Sequence, residues 1–213
     1  MRRTLVLCSG LLIALTGCAS YTPSSAQIPK AAGMPAWRTE GAVGAGADPY
    51  VQPDRQKAMF GGNLRNEGVL AVQVLVENRG DRRQLVRRSE IALGLPDGTQ
   101  FSPSNASSAS AKLQSIGGVV GSTIAFGLIG FLVSSSANEQ ASAARLADYQ
   151  SKELQDVTLG KDQPAHGFVY FIPPAGTQAF NEATLSVRFV DAEDATGLVV
   201  RLPMTGLEFK KTD

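Results

Sequence analysis

Short apolar runs separated by turn signals make up most of the chain after residue 68. The run 69–77 (VLAVQVLVE) is apolar and rich in β-branched residues, which is typical of a core strand. A turn signal at 78–81 (NRGD) follows, and 84–95 predicts a second strand. The tight turn PDG then leads into a further extended segment at 99–101.

A second group of strands is predicted in the last third of the chain. These runs are 154–159, 167–172, 184–190, 197–202 and 207–209. In the third of them, Leu185, Val187 and Phe189 alternate with other residues, so one face of that strand should be buried. Seven or eight short strands with few helices between them favour a mainly β fold, an antiparallel immunoglobulin-like β-sandwich. We assign the sandwich to residues 61–102 and 153–213.

Residues 103–152 form a glycine-rich insertion between the two groups of strands. Residues 102–110 have the Ser/Ala-rich composition of a linker, and the run 116–133 carries no charge. The motif 136–139 (SANE) is a capping box, which predicts a helix from about residue 137 to 152.

The glycines of the uncharged run limit how this insertion can fold. Gly117 and Gly121 have the spacing that lets helices approach closely, and Gly127 and Gly130 add bare backbone. Each glycine costs a helix about 1 kcal/mol relative to alanine, so this helix needs apolar packing or lipid. We therefore predict a glycine-rich helical hairpin with these four glycines at the helix contact.

A single membrane span over 116–133 conflicts with a single sandwich. Such a span would put 69–101 and 154–209 on opposite sides of the membrane. Its insertion is also marginal, because the roughly −3 to −6 kcal/mol from its large apolar residues is eroded by the glycines. Besides a disordered segment, two arrangements stay open. One is a hairpin docked on its own domain or on a partner, and the other is a hairpin that dips into a bilayer or packs against copies of itself.

Residues 18–60 have the composition of a flexible tether. Segments such as 41–47 (GAVGAGA) are short of large apolar residues and cannot bury enough surface to offset chain entropy. Trp37, Tyr50 and Phe60 are the exceptions. They either dock on the domain or form a motif that a partner recognises.

Residues 1–17 have the pattern of an export signal. Arg2 and Arg3 precede the apolar stretch 4–15, which is too short for a normal membrane span. The motif Leu15-Thr16-Gly17-Cys18 then resembles the lipobox of bacterial lipoproteins. This resemblance implies cleavage before Cys18 and a diacylglycerol on its thiol, with palmitate among the acyl chains.

The residues after the cysteine bear on location. Ala19 and Ser20 stand where an aspartate would favour retention in the inner membrane. The resemblance therefore implies a cell-envelope protein, lipid-anchored in the outer membrane and facing the periplasm. Because two or more acyl chains anchor a protein stably, the membrane is a partner through the lipid on Cys18 and no transmembrane helix is needed.

Cysteine content and charge exclude several classes of function. Cys8 lies in the signal and Cys18 carries the lipid, so the mature chain has no disulfide, no thiol nucleophile and no cysteine-bound metal. Without Arg2 and Arg3, 18 basic side chains face 19 acidic ones, a net charge of −1. This balance gives no steering towards nucleic acid.

Few residues suggest chemistry. His166 is the only histidine and cannot form a metal cluster by itself. Asp191, Glu193 and Asp194 lie where a hairpin loop belongs, and a calcium loop needs more oxygen ligands at set spacing. Nucleotide-binding and hydrolase motifs are absent from the sequence. We expect no enzyme, no cofactor, no metal and no small-molecule substrate.

The densest charge is a group of arginines near the first hairpin. Arg82, Arg83, Arg87 and Arg88 are either a solvated hairpin tip or a contact for phosphate-bearing lipid, lipopolysaccharide or an acidic partner. The second reading follows from the bidentate binding of phosphate by guanidinium groups.

The order of strands over 65–209 resembles that of small exported sandwich domains. In these domains a strand ending in Glu-Asn is followed later by a Gly-Phe-Val-Tyr-Phe strand, and the resemblance implies binding or scaffolding. We therefore predict a non-enzymatic envelope lipoprotein, a membrane-tethered module whose glycine-rich hairpin contacts a protein partner or other copies of the chain. The alternative is a membrane-active oligomer or pore-forming component that uses residues 116–133.

Overall fold

A computed structural model of the chain describes residues 21, 24, 30–114, 136–173 and 182–204. Within these residues the chain forms nine strands and three α-helices. The strands are β1 (Ala36–Glu40), β2 (Val43–Pro49), β3 (Leu70–Asn78), β4 (Gln84–Gly94), β5 (Gln100–Phe101), β6 (Val157–Leu159), β7 (Gln163–Phe171), β8 (Ala183–Asp191) and β9 (Gly197–Met204). The helices are α1 (Pro53–Phe60), α2 (Ala106–Gln114) and α3 (Ser136–Lys152), and 3-10 turns lie at Ala31–Gly33 and Leu64–Glu67.

The strands form two antiparallel sheets. Sheet 1 has the order β1-β2-β3-β7, and sheet 2 has the order β5-β4-β8-β9 with β6 also paired to β4. Strands that precede the insertion pair directly with strands that follow it, because β3 pairs with β7 and β4 pairs with β8. Paired strands cannot lie on opposite sides of a membrane, so a single span between them is excluded.

Both sheets bury one face in a common apolar core. Val72 and Val74 of β3 point into this core from sheet 1, and Leu185, Val187 and Phe189 of β8 point into it from sheet 2. The alternation predicted for 184–190 is therefore confirmed, as are a mainly β fold and the positions of the strands from β3 onwards. The predicted strand at 207–209 lies outside the described residues.

Helices cover the outer face of sheet 1. Phe168 and Tyr170 of β7 point away from the common core and pack against Phe60 of α1, Ala109 of α2 and Tyr149 of α3. We call α1, the 3-10 turn after it, α2 and α3 the helical layer. Residues from both ends of the insertion thus contribute to the same layer as α1.

The predicted tether over 18–60 is wrong for residues 36–60, which form β1, β2 and α1. Residues 43–47 of this supposed tether lie in β2, where alternate residues are buried in the common core. Between them, Gly44 and Gly46 face outward, and the indole ring of Trp37 lies on both. A Cβ at either glycine would come within 2.6–2.7 Å of that ring. The absence of side chains at Gly44 and Gly46 allows the Trp37 ring to pack directly on the backbone of β2.

Tyr50 and Phe60, named with Trp37 as exceptions within the predicted tether, also belong to the fold. Tyr50 is 8% exposed and Phe60 is fully buried in the helical layer. Their docking on the domain, one of the two readings of the sequence, is confirmed.

The linker predicted at 102–110 is wrong as well, because α2 begins at Ala106. The Asn105 side chain accepts a hydrogen bond from the Ser108 amide at 2.8 Å and so caps this helix. Ala106 and Ala109 are buried against sheet 1 while the intervening serines are exposed. The helix predicted from 137 to 152 is confirmed as α3.

Candidate functional site on the helical layer

The two ends of the insertion are fixed to the same strand. At the first end, the Ser104 amide donates to the Tyr170 carbonyl at 2.7 Å. At the second end, the Leu154 amide donates to the Phe168 carbonyl at 2.9 Å. Both acceptors lie on β7, which forms the edge of sheet 1. The insertion therefore leaves and rejoins the domain at one sheet edge.

The second of these contacts depends on Gly167. A Cβ at this position would lie 2.5 Å from the backbone N and Cα of Leu154. Because both of those atoms belong to backbone, no side-chain adjustment would relieve the clash. The chain leaving α3 can approach β7 only where that strand has no side chain.

A network of charged and polar groups joins the ends of the insertion to sheet 2. The Arg88 guanidinium on β4 is 2.9 Å from the Glu153 carboxylate, and it also donates to the Ser104 carbonyl at 2.9 Å. The same Glu153 oxygen accepts a hydrogen bond from the Ala106 amide at the start of α2 at 2.9 Å. One carboxylate thus ties the beginning of α2 and the end of α3 to a strand of sheet 2.

The helical layer contains a buried ion pair. Lys152 Nζ lies 2.6 Å from Asp148 Oδ2, one helical turn earlier on α3, and the two side chains are only 4% and 5% exposed. The same ammonium donates to the Met59 carbonyl at the end of α1 at 2.6 Å. A buried charge is tolerated only when it is paired and hydrogen-bonded, and here the pairing also joins α3 to α1.

An aromatic cluster surrounds this pair. Phe60 makes edge-to-face contacts with Tyr149 and Phe168, with ring centroids 5.3 and 4.9 Å apart. The Tyr149 hydroxyl donates to the Phe60 carbonyl at 2.8 Å, and the Tyr170 hydroxyl donates to the Tyr149 carbonyl at 3.3 Å. Burial raises the pKa of both hydroxyls well above the ordinary value, so both remain protonated donors.

Tyr21, from the N-terminal part of the chain, docks onto this layer. Its hydroxyl donates to the Asp148 carboxylate, which also binds Lys152. The ring lies against Gly61, and the Arg145 guanidinium is 5.2 Å from the ring centroid. Partial burial and the bond to Asp148 raise the pKa of the Tyr21 hydroxyl. A hydrogen bond to a charged group contributes about 1.5–3 kcal/mol, which makes this the strongest polar contact of the docked residue.

An open cavity of about 290 Å³ lies beside the docked tyrosine. Its lining includes Gly61 and Arg145, which also touch Tyr21, together with Glu67 and Leu113. Burial raises the pKa of the Glu67 carboxyl above its usual value, while Lys112 nearby acts in the opposite direction. The cavity is thus lined by charged groups and by the last described turn of α2.

The arginines predicted to contact anions are spread over two places. Arg82, before β4, lies 2.9 Å from Asp191 and 2.8 Å from Asp194, and Arg83 beside it is exposed. Arg87 and Arg88 lie in a bulge where β4 shifts register against β8. Their distances to Glu90 and Glu153 are 3.3 and 2.9 Å. Three of the four guanidiniums thus have acidic neighbours, and the anion contact stays a prediction.

Of the acidic residues predicted for the hairpin loop, Asp191 ends β8, and Glu193 and Asp194 lie in the loop between β8 and β9. The Asp191 carboxylate accepts from the Glu193 amide at 2.8 Å and is buried, whereas Glu193 and Asp194 are exposed. His166 lies on β7, where partial burial lowers its pKa. Among the described residues, no group of three or more His, Cys, Asp and Glu side chains is placed to hold a metal ion.

Several predicted site residues lie outside the described residues. They are Cys18 and the four helix-contact glycines, Gly117, Gly121, Gly127 and Gly130. In the described part of the chain, no helix has the length and apolar character to cross a membrane.

The residues that hold the helical layer together were not predicted from the sequence. Asp148 and Lys152 have the i, i+4 spacing of an ordinary ion pair on a solvated helix face. The one feature of the sequence that indicated burial of this helix face is the aromatic residue Tyr149, next to Asp148. Nothing in the sequence connects Tyr21 with residues more than a hundred positions away.

No protein-family model matches the chain, and no curated protein matches it. Solved structures show distant likenesses. A candidate lipoprotein (ycdA) from Bacillus subtilis is 11% identical with a TM-score of 0.38, and the match covers 78% of this chain but only 38% of that one. A functionally unknown protein from Listeria monocytogenes is 13% identical with a TM-score of 0.36, over 79% and 80% of the two chains.

A third likeness is to the yjhA protein from Bacillus subtilis, 12% identical with a TM-score of 0.32 over 62% of this chain and 73% of that one. This chain spans less than half of the ycdA protein's length. With TM-scores of this size, the three likenesses assign neither a fold family nor an activity.

Proposed function

We propose that this chain is a non-enzymatic, lipid-anchored protein of the bacterial cell envelope. Acyl chains on Cys18 hold it in the outer membrane on the periplasmic side. Its two sheets form an immunoglobulin-like sandwich that serves as a binding or scaffolding module. The glycine-rich hairpin within residues 103–152 contacts a protein partner or other copies of the chain.

The observation that carries this proposal is the anchoring of both ends of the insertion on β7. The hydrogen bonds of Ser104 and Leu154 hold the two ends at one sheet edge, and Arg88 with Glu153 ties them to sheet 2. A segment held in this way leaves and returns on one side of the domain. This geometry suits a domain that presents the segment to a partner.

Substitution of the two cysteines tests the lipid anchor. Cys18→Ser removes the thiol that takes the diacylglycerol, so the protein should leave the membrane fraction and lose incorporation of labelled palmitate. Cys8→Ser is the matched control, because it removes the other cysteine of the chain from within the signal. Palmitate incorporation that survives Cys18→Ser would contradict the lipid anchor.

Substitution of the glycines tests the contact. Gly121→Leu with Gly127→Leu should abolish a close helix contact, which would appear as a smaller mass of the detergent-extracted complex. Gly33→Leu is the control, because a Cβ at that exposed glycine meets no atom within 4 Å. An unchanged complex mass in the double variant would contradict the contact.

A membrane-active oligomer is the second candidate, favoured by the uncharged run 116–133. This candidate predicts release of a trapped dye from liposomes by the wild-type protein and not by the Gly121→Leu, Gly127→Leu variant. Liposomes that stay intact at high protein loading would rule out the membrane-active oligomer. The binding module would then remain as the proposed function.

A further inference from the structure

The docking of Tyr21 limits how far Cys18 can lie from the helical layer. Cys18 lies three positions before Tyr21, and an extended chain spans at most about 3.6 Å per residue. The backbone of Cys18 therefore lies within about 11 Å of that of Tyr21. If β1 at Ala36 were the first fixed point, the 18 residue steps from Cys18 would allow about 65 Å.

We propose that the helical layer is the surface that this protein turns towards the membrane, where it meets the phosphate headgroups of the bilayer that holds the Cys18 acyl chains. This inference rests on the proposed lipid anchor at Cys18. The short link between the acylated residue and Tyr21 leaves the domain too little free chain to turn another face to the lipid.

The charges around the docking point suit this partner. Lys57 lies one turn before Gly61, Lys112 precedes Leu113 at the edge of the cavity, and Arg145 lies over the Tyr21 ring. Glu67 is the acidic neighbour of Lys112, and the Asp148 charge is balanced by Lys152. Over the whole layer, four acidic residues (Asp54, Glu67, Glu139 and Asp148) stand against six basic ones (Arg55, Lys57, Arg65, Lys112, Arg145 and Lys152), of which Arg55 pairs with Asp48 of β2. The excess of positive charge favours a surface of anionic headgroups.

The opposite side of the domain supplies the reference surface. Ser186 of β8 and Arg201 of β9 are register partners, and both point away from the common core of the two sheets. A helix layer and a second sheet each add about 10 Å of thickness, so these positions lie about 20 Å farther from the bilayer than the helical layer does.

The test measures depth with single fluorescent labels on the native lipoprotein in phosphatidylglycerol-containing vesicles. Lys57→Cys and Lys112→Cys place a label on the helical layer, and Ser186→Cys and Arg201→Cys place one on sheet 2. Acylation blocks Cys18, so only the introduced thiol reacts. Vesicles with nitroxide-bearing headgroups should quench the first two labels several-fold more strongly than the last two.

Tyr21→Ala separates the orientation from the anchor. This variant keeps Cys18, so it should remain bound to the vesicles, while the difference between the two pairs of labels should largely disappear. Far-UV circular dichroism checks that the variant is folded, and Tyr21→Phe, which removes only the hydroxyl, should give a smaller loss of the difference.

Two results would overturn the inference. Equal quenching of all four labels, or stronger quenching at 186 and 201, on a protein that stays vesicle-bound would reject the orientation and leave the lipid anchor intact. Protein that washes off the vesicles and carries no acyl chain would reject the anchor and the orientation together.

Discussion

Removal of one partner of the buried ion pair should destabilise the domain strongly. In Lys152→Met the Asp148 carboxylate would stay buried with Tyr21 as its remaining hydrogen-bond donor, and the Met59 carbonyl would lose the ammonium 2.6 Å away. Both side chains of the pair are at most 5% exposed, so water cannot replace the lost contacts without opening the layer. Breaking a pair of this kind typically costs about 3–5 kcal/mol.

Replacement of both partners gives the matched comparison. The variant Asp148→Leu with Lys152→Met removes the two charges together and fills the site with apolar atoms of similar volume. Such replacements are often neutral or stabilising, but here the Tyr21 hydroxyl and the Met59 carbonyl also lose their partners. The double variant should therefore cost about 1–3 kcal/mol, less than the single variant. The single variant should therefore be the less stable of the two, although it carries fewer substitutions.

The assay is urea unfolding of the unlipidated Cys18→Ser protein at pH 7. Fluorescence of the sole tryptophan, Trp37, and far-UV circular dichroism should report the same transition. A loss of about 3–5 kcal/mol is a large part of the 5–15 kcal/mol that stabilises a typical domain. A cost of less than about 1 kcal/mol for Lys152→Met, or a double variant as unstable as the single one, would refute the stabilising role of the ion pair.

Two further predictions concern the sheets. Gly167→Ala should cost about 3 kcal/mol or more in the same unfolding assay, because its Cβ would lie 2.5 Å from the backbone of Leu154, whereas Gly33→Ala should cost little because its Cβ meets nothing within 4 Å. Equal effects of the two would contradict the close approach at β7. Hydrogen bonds from the side chain and backbone of Thr196, and then from Arg82, lower the pKa of Asp194 from 3.8 to about 2. A lowered folded-state pKa stabilises above pH about 4, and that stabilisation is lost as the pH falls through about 2. Thr196→Val should raise the Asp194 pKa towards 3.8 in an NMR titration, and an unchanged value would show that this threonine is not the main cause.

The strands from β3 onwards could be predicted because their residues are apolar and β-branched and end at clear turn signals. β1 and β2 could not, because the pattern of β2 rests on alanine and glycine. The apolar cover of that strand is supplied by Trp37 from a neighbouring strand. The composition of β2 is too weakly hydrophobic to predict a core strand. Its alternation of glycine with larger residues nevertheless has the two-residue period of a strand.

The helical layer was only partly predictable for a similar reason. A capping box marks the start of α3, whereas the first six residues of α2 are all Ser or Ala, a composition typical of a linker. Only the contact of Ala106 and Ala109 with sheet 1 shows that they form a packed helix. The i, i+4 spacing of Asp148 and Lys152 says nothing about burial. Burial follows from contacts with α1 and with Tyr21, which are distant in sequence and set only by the fold.

The most direct test of the account is the mass of the N-terminal peptide of the protein purified from bacterial membranes. We expect a chain that begins at Cys18 and carries a diacylglycerol together with an N-linked acyl chain, with residues 1–17 absent. A chain that retains residues 1–17, or one that begins at Cys18 with an unmodified thiol, would contradict the lipid anchor and with it the proposed orientation of the helical layer.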